Sequence, residues 1–286
     1  METPAADIPR RRSLPYAALL VVMVSVQFGA ALSKQLFPVL GVERATFLRQ
    51  AFGALLLAMV LRPWRLRIRT GDWPALLAYS VTLGGMNLSF YLALARIPLG
   101  ITVALEFMGP LGLAVALSHR RIDLLWVALA AVGLLLLLPL HPHGPALDPI
   151  GVLFALTAAA FWAAYTLIAR RIGRTIGTGL IGVAMPIAAL LILPLAASQP
   201  GSITLTPQLA IAALAMALFS SALPYPLEMI ALAGMPVRVY GILTSLEPAL
   251  GTLMGLAVLR ELPSAQQLAG IAAIIVASLG AAALDA

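Results

Sequence analysis

The sequence contains no cysteine and few charged residues. Of its 286 residues, 10% are Asp, Glu, Lys or Arg, whereas 62% are hydrophobic. Soluble domains carry about a quarter charged and about half apolar residues, so a water-soluble fold could not bury this much apolar surface. The absence of cysteine excludes disulfides, thiolate metal sites and thiol nucleophiles. The composition therefore indicates a protein whose main solvent is lipid.

Motifs for enzymatic or nucleotide chemistry are also absent. The chain has no HExxH metal motif, no Walker phosphate loop and no Gly-x-Ser-x-Gly nucleophile motif. Its net charge of +7 comes from short basic clusters between apolar runs, which is typical of membrane orientation signals rather than of nucleic-acid binding. We therefore expect no cofactor, no metal site, no nucleic-acid partner and no enzymatic activity.

Apolar runs of about twenty residues recur along the whole chain, as transmembrane helices require. The ten predicted spans cover residues 14–33, 43–61, 73–95, 99–118, 123–140, 150–169, 178–198, 207–233, 238–259 and 264–284. Pro224 and Pro226 lie in the eighth span, where we expect a bend or tilt. Because the loops are short, the functional groups must lie in or beside the bilayer.

The basic residues lie mainly on one side of these spans. Thirteen of the eighteen Lys and Arg residues fall in one set of loops, and Lys34, Arg44, Arg96 and Arg260 fall in the other. Arg49 lies within the second span. Because cytoplasmic loops carry an excess of Lys and Arg, this bias predicts a bacterial inner-membrane protein with both termini in the cytoplasm.

Two stretches of the chain align without gaps at an offset of 138 residues. Pro98 and Pro110 in the first correspond to Pro236 and Pro248 in the second. The offset predicts two five-helix halves, residues 1–140 and 141–286, and since five is odd the second half must be inverted. Inverted repeats are typical of secondary transporters, with the substrate site near the membrane midplane. The alternative is a duplicated hydrophobic hairpin without transport.

Prolines interrupt several spans at corresponding depths. Pro110 cannot donate a hydrogen bond to the carbonyl of Glu106, and Pro248 frees the carbonyl of Thr244 in the same way. Polar backbone inside a bilayer is tolerated only beside protein or a wet cavity, which predicts a hinge or a site, the alternative being a packing kink. The predicted hinge or gate residues are the prolines Pro98, Pro110, Pro224, Pro236 and Pro248.

Three carboxylates lie within apolar runs. An acidic side chain at the bilayer centre costs about 2.5–3.5 kcal/mol, so each should face a cavity or a partner. Arg49 could pair with one of them or receive a carboxylate from a substrate. Mid-span aromatic and amide side chains could line the same cavity. The predicted substrate-binding residues are Lys34, Tyr79, Asn87, Tyr91, Glu106, Trp162, Tyr165, Glu228 and Glu247.

Several segments resemble a known transporter family. They are residues 32–38, 83–87, 90–94, 98–111, 221–232 and 246–250. Together they resemble the EamA-type branch of the drug/metabolite transporter superfamily, in particular its threonine/homoserine exporters and their relatives for aromatic amino acids. The resemblance covers residues of about 15–283. It implies ten helices in an inverted five-plus-five repeat, a central cavity, and amino acid export by alternating access. It also implies that Tyr79 and Trp162 line the cavity.

The sequence thus predicts an inner-membrane exporter of threonine- and homoserine-like, or broader neutral and aromatic, amino acids. Glu106 or Glu228 could meet the ammonium group, and Asn87, Lys34 or freed backbone groups could meet the carboxylate. Glu228 or Glu247 could carry an exchanged proton. Alternatives are a carrier of sugar phosphates, other anions or drugs, although mid-span basic residues are scarce, and a non-transporting membrane scaffold. We expect a monomer or weak homodimer in the lipid bilayer.

Overall fold

The computed structural model of the protein describes residues 8–66, 68–116, 123–137, 147–176, 179–201 and 206–284. Within these ranges the regular structure is entirely helical. The α-helices are α1 (Ile8–Leu40), α2 (Val42–Leu61), α3 (Trp73–Leu94), α4 (Leu99–Glu106), α5 (Met108–Ala116), α6 (Asp123–Leu137), α7 (Pro149–Ile176), α8 (Leu180–Ala197), α9 (Pro207–Ala217), α10 (Pro224–Gly234), α11 (Val237–Thr244), α12 (Glu247–Leu259) and α13 (Ala265–Leu284).

Six helical stretches in these ranges are long and apolar enough to cross a membrane. Four shorter apolar stretches accompany them, at residues 99–113, 124–137, 247–259 and 265–280. This pattern and the apolar composition agree with the predicted all-helical membrane protein. Two predicted ends fall short of the observed ones. Helix α1 runs to Leu40 rather than residue 33, and α7 runs to Ile176 rather than residue 169.

The fourth and ninth predicted spans are each divided into two helices, beside Pro110 and Pro248 respectively. Helix α4 ends at Glu106, and α11 ends at Thr244, 138 residues later. The first residues of the two helices differ by the same 138 positions. Pro98 and Pro236, which precede these helices, share an extended conformation with φ of −60° and ψ of 147° and 140°. Both spans are thus interrupted beside a proline, at equivalent points of the sequence.

The eighth predicted span contains a π-helical turn over residues Leu218–Ala222, which joins α9 to α10. Because Pro224 has no N–H, carbonyls of this turn lack a helical donor. Side chains from neighbouring helices replace it: Ser25 and Arg49 donate to two carbonyls of the turn at 2.6 and 3.4 Å. Such π-turns occur frequently at functional sites.

The helices pack in a small set of pairs. Helix α3 lies against α7, α1 against α10, α2 against α8, α4 against α12, and α6 against α13. In addition, α12 contacts α1, and α4 and α5 contact α7. Buried apolar side chains fill these interfaces, for example Leu57, Leu83 and Met185 between α2, α3 and α8. The two divided helices therefore meet each other through α4 and α12, and each is flanked by one long helix.

Candidate functional site

The structure brings the three predicted mid-helix carboxylates together. Glu106 ends α4, Glu247 begins α12, and Glu228 lies in α10. Glu247 is close enough to interact electrostatically with both of the others. All three side chains are half-buried. We call Glu106, Glu228 and Glu247 the carboxylate cluster.

The members of this cluster differ in their hydrogen bonds. The hydroxyl of Tyr240 donates to Glu228 across 2.5 Å, which braces α10 against α11. Glu106 and Glu247 accept no hydrogen bond from any residue of the described ranges. They are therefore available to a ligand, whereas Glu228 already has a protein partner.

Aromatic side chains lie beside the carboxylate cluster. Tyr79 of α3 and Tyr165 of α7 stack with ring centroids 4.7 Å apart and an interplanar angle of 28°. Both lie near Tyr225 and Glu228 of α10. Stacked rings offer a flat apolar surface with hydroxyl groups at its edge, which suits a ligand with mixed polar and apolar parts.

Trp162 reaches the same region through the break between α4 and α5. Its ring meets the ring of Phe107 edge-on, at a centroid distance of 5.1 Å and an angle of 89°. Phe107 directly follows Glu106, so this contact fixes the break against α7. Tyr165 thus lies next to Tyr79, another predicted site residue, and Trp162 lies against Phe107, which follows the predicted site residue Glu106.

Arg49 joins α2 to the predicted site residues of α3. Its guanidinium donates to the side-chain oxygen of Asn87 and lies 5.0 Å from the centroid of the Tyr91 ring. The Tyr91 hydroxyl in turn shares a hydrogen bond of 2.5 Å with Ser33 of α1. Arg49 interacts electrostatically with Glu106. However, no described carboxylate lies within ion-pair distance of it, so the pairing that the sequence left open is not formed.

Lys34 lies apart from the carboxylate cluster. Its ammonium group is 2.7 Å from a carboxylate oxygen of Glu261 and donates to the carbonyl of Ile97 at 2.8 Å. The other oxygen of Glu261 accepts from the backbone N–H of Leu99 at 2.8 Å. We call Lys34 and Glu261, with these two backbone groups, the latch. It ties α1 and the end of α12 to the start of α4.

Further polar contacts lie at the ends of the helices adjacent to the latch. Arg96 pairs with Asp148 at 2.9 Å, beyond the ends of α3 and α7. The hydrogen bond from Arg96, with the N–H of Ile150, holds the pKa of Asp148 below its ordinary value, so the pair is charged at neutral pH. Arg44 donates to the carbonyls of Ala196, Gln199 and Gly201, which cap the end of α8.

Sequence reasoning missed two members of these arrangements, Tyr240 and Glu261. Glu261 had a usable signal, because it stands 138 residues after Asp123 and so shares its position in the repeat. Tyr240 lies one turn after Pro236, but nothing in the sequence shows that it meets Glu228. In the part of the chain that the structure describes, no group of three His, Asp or Glu side chains is arranged to hold a metal ion.

Comparison with known proteins places the chain in a family. Residues 149–282 match the EamA-like transporter family. The threonine/homoserine exporter RhtA of Escherichia coli (strain K12) is 45% identical over 267 residues, which is 93% of this chain and 90% of that protein. The chain belongs to the EamA-like transporter family. It is therefore a multi-pass membrane transporter and not an enzyme, as its sequence predicted.

Further similar proteins and one solved structure are consistent with this family assignment. RhtA of Salmonella typhimurium (strain LT2) is 44% identical over the same shares of the two chains. The uncharacterized transporter YwfM of Bacillus subtilis (strain 168) is 30% identical over 246 residues, 80% of this chain and 82% of that protein. One solved crystal structure superposes with a TM-score of 0.62 and 22% identity over 97% of each chain, which shows a shared fold.

Proposed function

We propose that this protein exports amino acids, of the threonine and homoserine type or of a broader neutral and aromatic range, from the cytoplasm across the bacterial inner membrane. The observation that carries the proposal is its 45% identity, over 93% of the chain, to an exporter named for threonine and homoserine. The site supplies a chemistry that fits such a substrate, because half-buried carboxylates can attract an ammonium group.

The substrate lies beside Glu106 and Glu247, whose oxygens have no partner in the described ranges. Glu228, held by Tyr240, contributes negative potential and positions α10. The stacked Tyr79 and Tyr165, together with Trp162, provide the apolar surface against which the amino acid side chain packs. This arrangement binds weakly enough to release its ligand, since only a few polar groups contact it.

Ten spans in an inverted five-plus-five repeat, residues 1–140 and 141–286, are supported by the packing pairs. Exchanging the halves converts the α3–α7 contact into the α10–α1 contact, and the α5–α7 contact into the α12–α1 contact. It returns the α2–α8 and α6–α13 pairs to themselves. Such exchange symmetry is what a two-fold axis in the membrane plane produces.

The latch and this symmetry support alternating access. The latch and the α4–α12 contact close one end of the bundle, whereas α5 and α11 share no comparable interface at the other end. Exchanging the conformations of the two halves would close the second end and open the first. The prolines Pro98, Pro110, Pro224, Pro236 and Pro248 lie at or near helix starts, where backbone rotation disturbs few helical hydrogen bonds.

The bias of Lys and Arg supports an orientation with the latch at the outer face and both termini in the cytoplasm. The described conformation is then closed to the outside. Glu228 or Glu247 is the candidate for a proton carried in exchange, and the functional unit is a monomer or a weak homodimer. Lys34, originally predicted to contact substrate, is assigned to this outer closure.

Purified protein in proteoliposomes should catalyse counterflow of labelled threonine and homoserine into vesicles preloaded with the unlabelled amino acid. Vesicles without protein are the control. A panel of aromatic amino acids, sugar phosphates and drugs measures selectivity. If no amino acid exchanges, or if only anions such as sugar phosphates do, the proposed function is wrong.

Breaking the latch should open the outer end. The double variant Lys34→Met with Glu261→Gln removes both charges, so neither is left buried without its partner. A cysteine introduced at Val103, which is 2% exposed beside this closure, should then react several-fold faster with an impermeant maleimide added from outside. The natural chain has no cysteine, so a single introduced thiol reports cleanly.

Two controls accompany this measurement. A cysteine at the exposed Ser198 should label from outside at the same rate in both backgrounds, which also checks the orientation. Arg96→Gln breaks a neighbouring ion pair that joins only the ends of α3 and α7, and should not accelerate labelling at position 103. Equal labelling of Val103→Cys with and without the latch would rule out its role in closure.

A further inference from the structure

Arg49 is a buried cation without a carboxylate partner among the described residues. It lies seven residues after the start of α2, about 10 Å along the helix axis, and its residue is 6% exposed. Its partners are neutral: the Asn87 side chain, a backbone carbonyl of Ser220 and the face of the Tyr91 ring. A guanidinium carries five N–H donors, and here the Nε donor has no partner.

Unpartnered polar groups also lie beside Arg49 in α2 and in the turn that Arg49 contacts. Both polar atoms of Gln50 and the hydroxyl of Ser221 have no hydrogen-bond partner, and both residues are 0% exposed. Gly53, on the same face of α2, faces Ser221, since a Cβ at this glycine would stand 3.3 Å from its hydroxyl oxygen. Buried polar groups in native structures almost always have partners, so several together indicate a place where a polar ligand binds.

The surroundings of Arg49 orient its charge. The Tyr91 ring packs over the guanidinium and is itself held by Ser33, while Asn87 engages one terminal nitrogen. These contacts fix the planar group and leave donors free, which is the arrangement that recognises a planar carboxylate. Holding a buried charge in this state costs stability, and such a cost is commonly found at binding sites.

We infer that Arg49, together with Gln50 and Ser221, is the receptor for the carboxylate of the transported amino acid. This assignment rests on the proposed function. Arg49 and Glu106 lie close enough to interact, so a guanidinium and a carboxyl group face the same region. That pairing matches the two charges of a zwitterion. A phosphate dianion would need more cations, and two of the other described cations, Lys34 and Arg44, are engaged elsewhere.

The test compares threonine with threoninol, which keeps the ammonium and hydroxyl groups but lacks the carboxylate. Binding to purified protein in detergent is measured by the shift in thermal unfolding with ligand concentration. The wild type should prefer threonine, and Arg49→Gln should reduce that preference on the order of 10- to 100-fold, as expected for loss of a charged hydrogen-bonded contact. Arg49→Lys keeps the charge but not the parallel N–H donors of the guanidinium. Its preference for threonine should lie between those of the wild type and Arg49→Gln.

The matched control is Arg44→Gln, the same change on the same helix at an arginine that caps carbonyls of α8 and its following loop. It should leave the threonine preference at the wild-type value. Should Arg49→Gln not fold, Arg49→Lys retains the charge and decides the question. If the Arg49 variants keep the wild-type preference for threonine over threoninol, the assignment of Arg49 is wrong but the proposed function stands. A wild type that neither binds nor exchanges any amino acid overturns the proposed function, and the assignment with it.

Discussion

Replacing Glu106 by glutamine is expected to lower amino acid counterflow on the order of 10- to 100-fold. Its carboxyl group accepts no hydrogen bond from any described residue, so it is free to meet an ammonium group. A hydrogen bond to a charged group contributes about 1.5–3 kcal/mol, and each 1.4 kcal/mol is a factor of ten in binding. The variant keeps the shape of the side chain, so the loss reports charge rather than packing.

Glu43→Gln is the matched control for this change. Glu43 lies in the first turn of α2, away from the carboxylate cluster, and its replacement should leave counterflow unchanged. Glu228→Gln should have a smaller effect than Glu106→Gln, because the amide oxygen can still accept from Tyr240. Equal counterflow in Glu106→Gln and Glu43→Gln would exclude Glu106 from the substrate site.

Glutamine variants of Glu228 and Glu247 test proton exchange. If Glu228 or Glu247 carries a proton across the membrane, its replacement by glutamine should flatten the pH dependence of the flux. A pH dependence that is unchanged in both variants would remove these two residues from any proton pathway, without affecting the proposed role of Glu106.

Much of the fold could be predicted because the bilayer imposes simple rules on length and composition. Apolar run lengths located the helices, and prolines located their interruptions, including the breaks beside Pro110 and Pro248. Helix ends were less predictable. Helix α1 continues through Pro38 because Phe37 and Leu40 are buried against neighbouring helices. Helix α7 continues past residue 169 because arginine, at positions 170 and 171, is a good helix former. A helix need not end at the membrane surface.

The candidate site was predictable as a set of residue types but not as a set of partners. Buried carboxylates and mid-span aromatics stood out because their cost in lipid requires an explanation. Contacts between distant residues could not be predicted in this way. Lys34 and Glu261, for example, are separated by 227 residues, and no local sequence pattern links them. The sequence also could not distinguish Glu228, which has a protein partner, from Glu106, which has none.

Adding one methyl group at Gly109 should destabilise the protein markedly, whereas the same change at Gly112 should not. A Cβ at Gly109 would collide with the backbone carbonyl of Ala159 on α7. At Gly112, three residues along the same helix, nothing lies within 4 Å. Overpacking typically costs about 1–3 kcal/mol, and backbone atoms cannot move aside as a flexible side chain can. Gly112→Ala should instead gain about 0.5–1 kcal/mol from reduced chain entropy.

Thermal unfolding in detergent would separate the two variants, with Gly109→Ala melting several degrees below the wild type and Gly112→Ala at or slightly above it. The comparison also bears on transport, because moving α5 away from α7 would pull Phe107 from Trp162 and displace Glu106 at the break. Gly109→Ala should therefore lose amino acid binding at temperatures where it is still folded. If both alanine variants melt together, α5 does not touch α7 at this point, and the placement of Glu106 beside the aromatic side chains of α7 is incorrect.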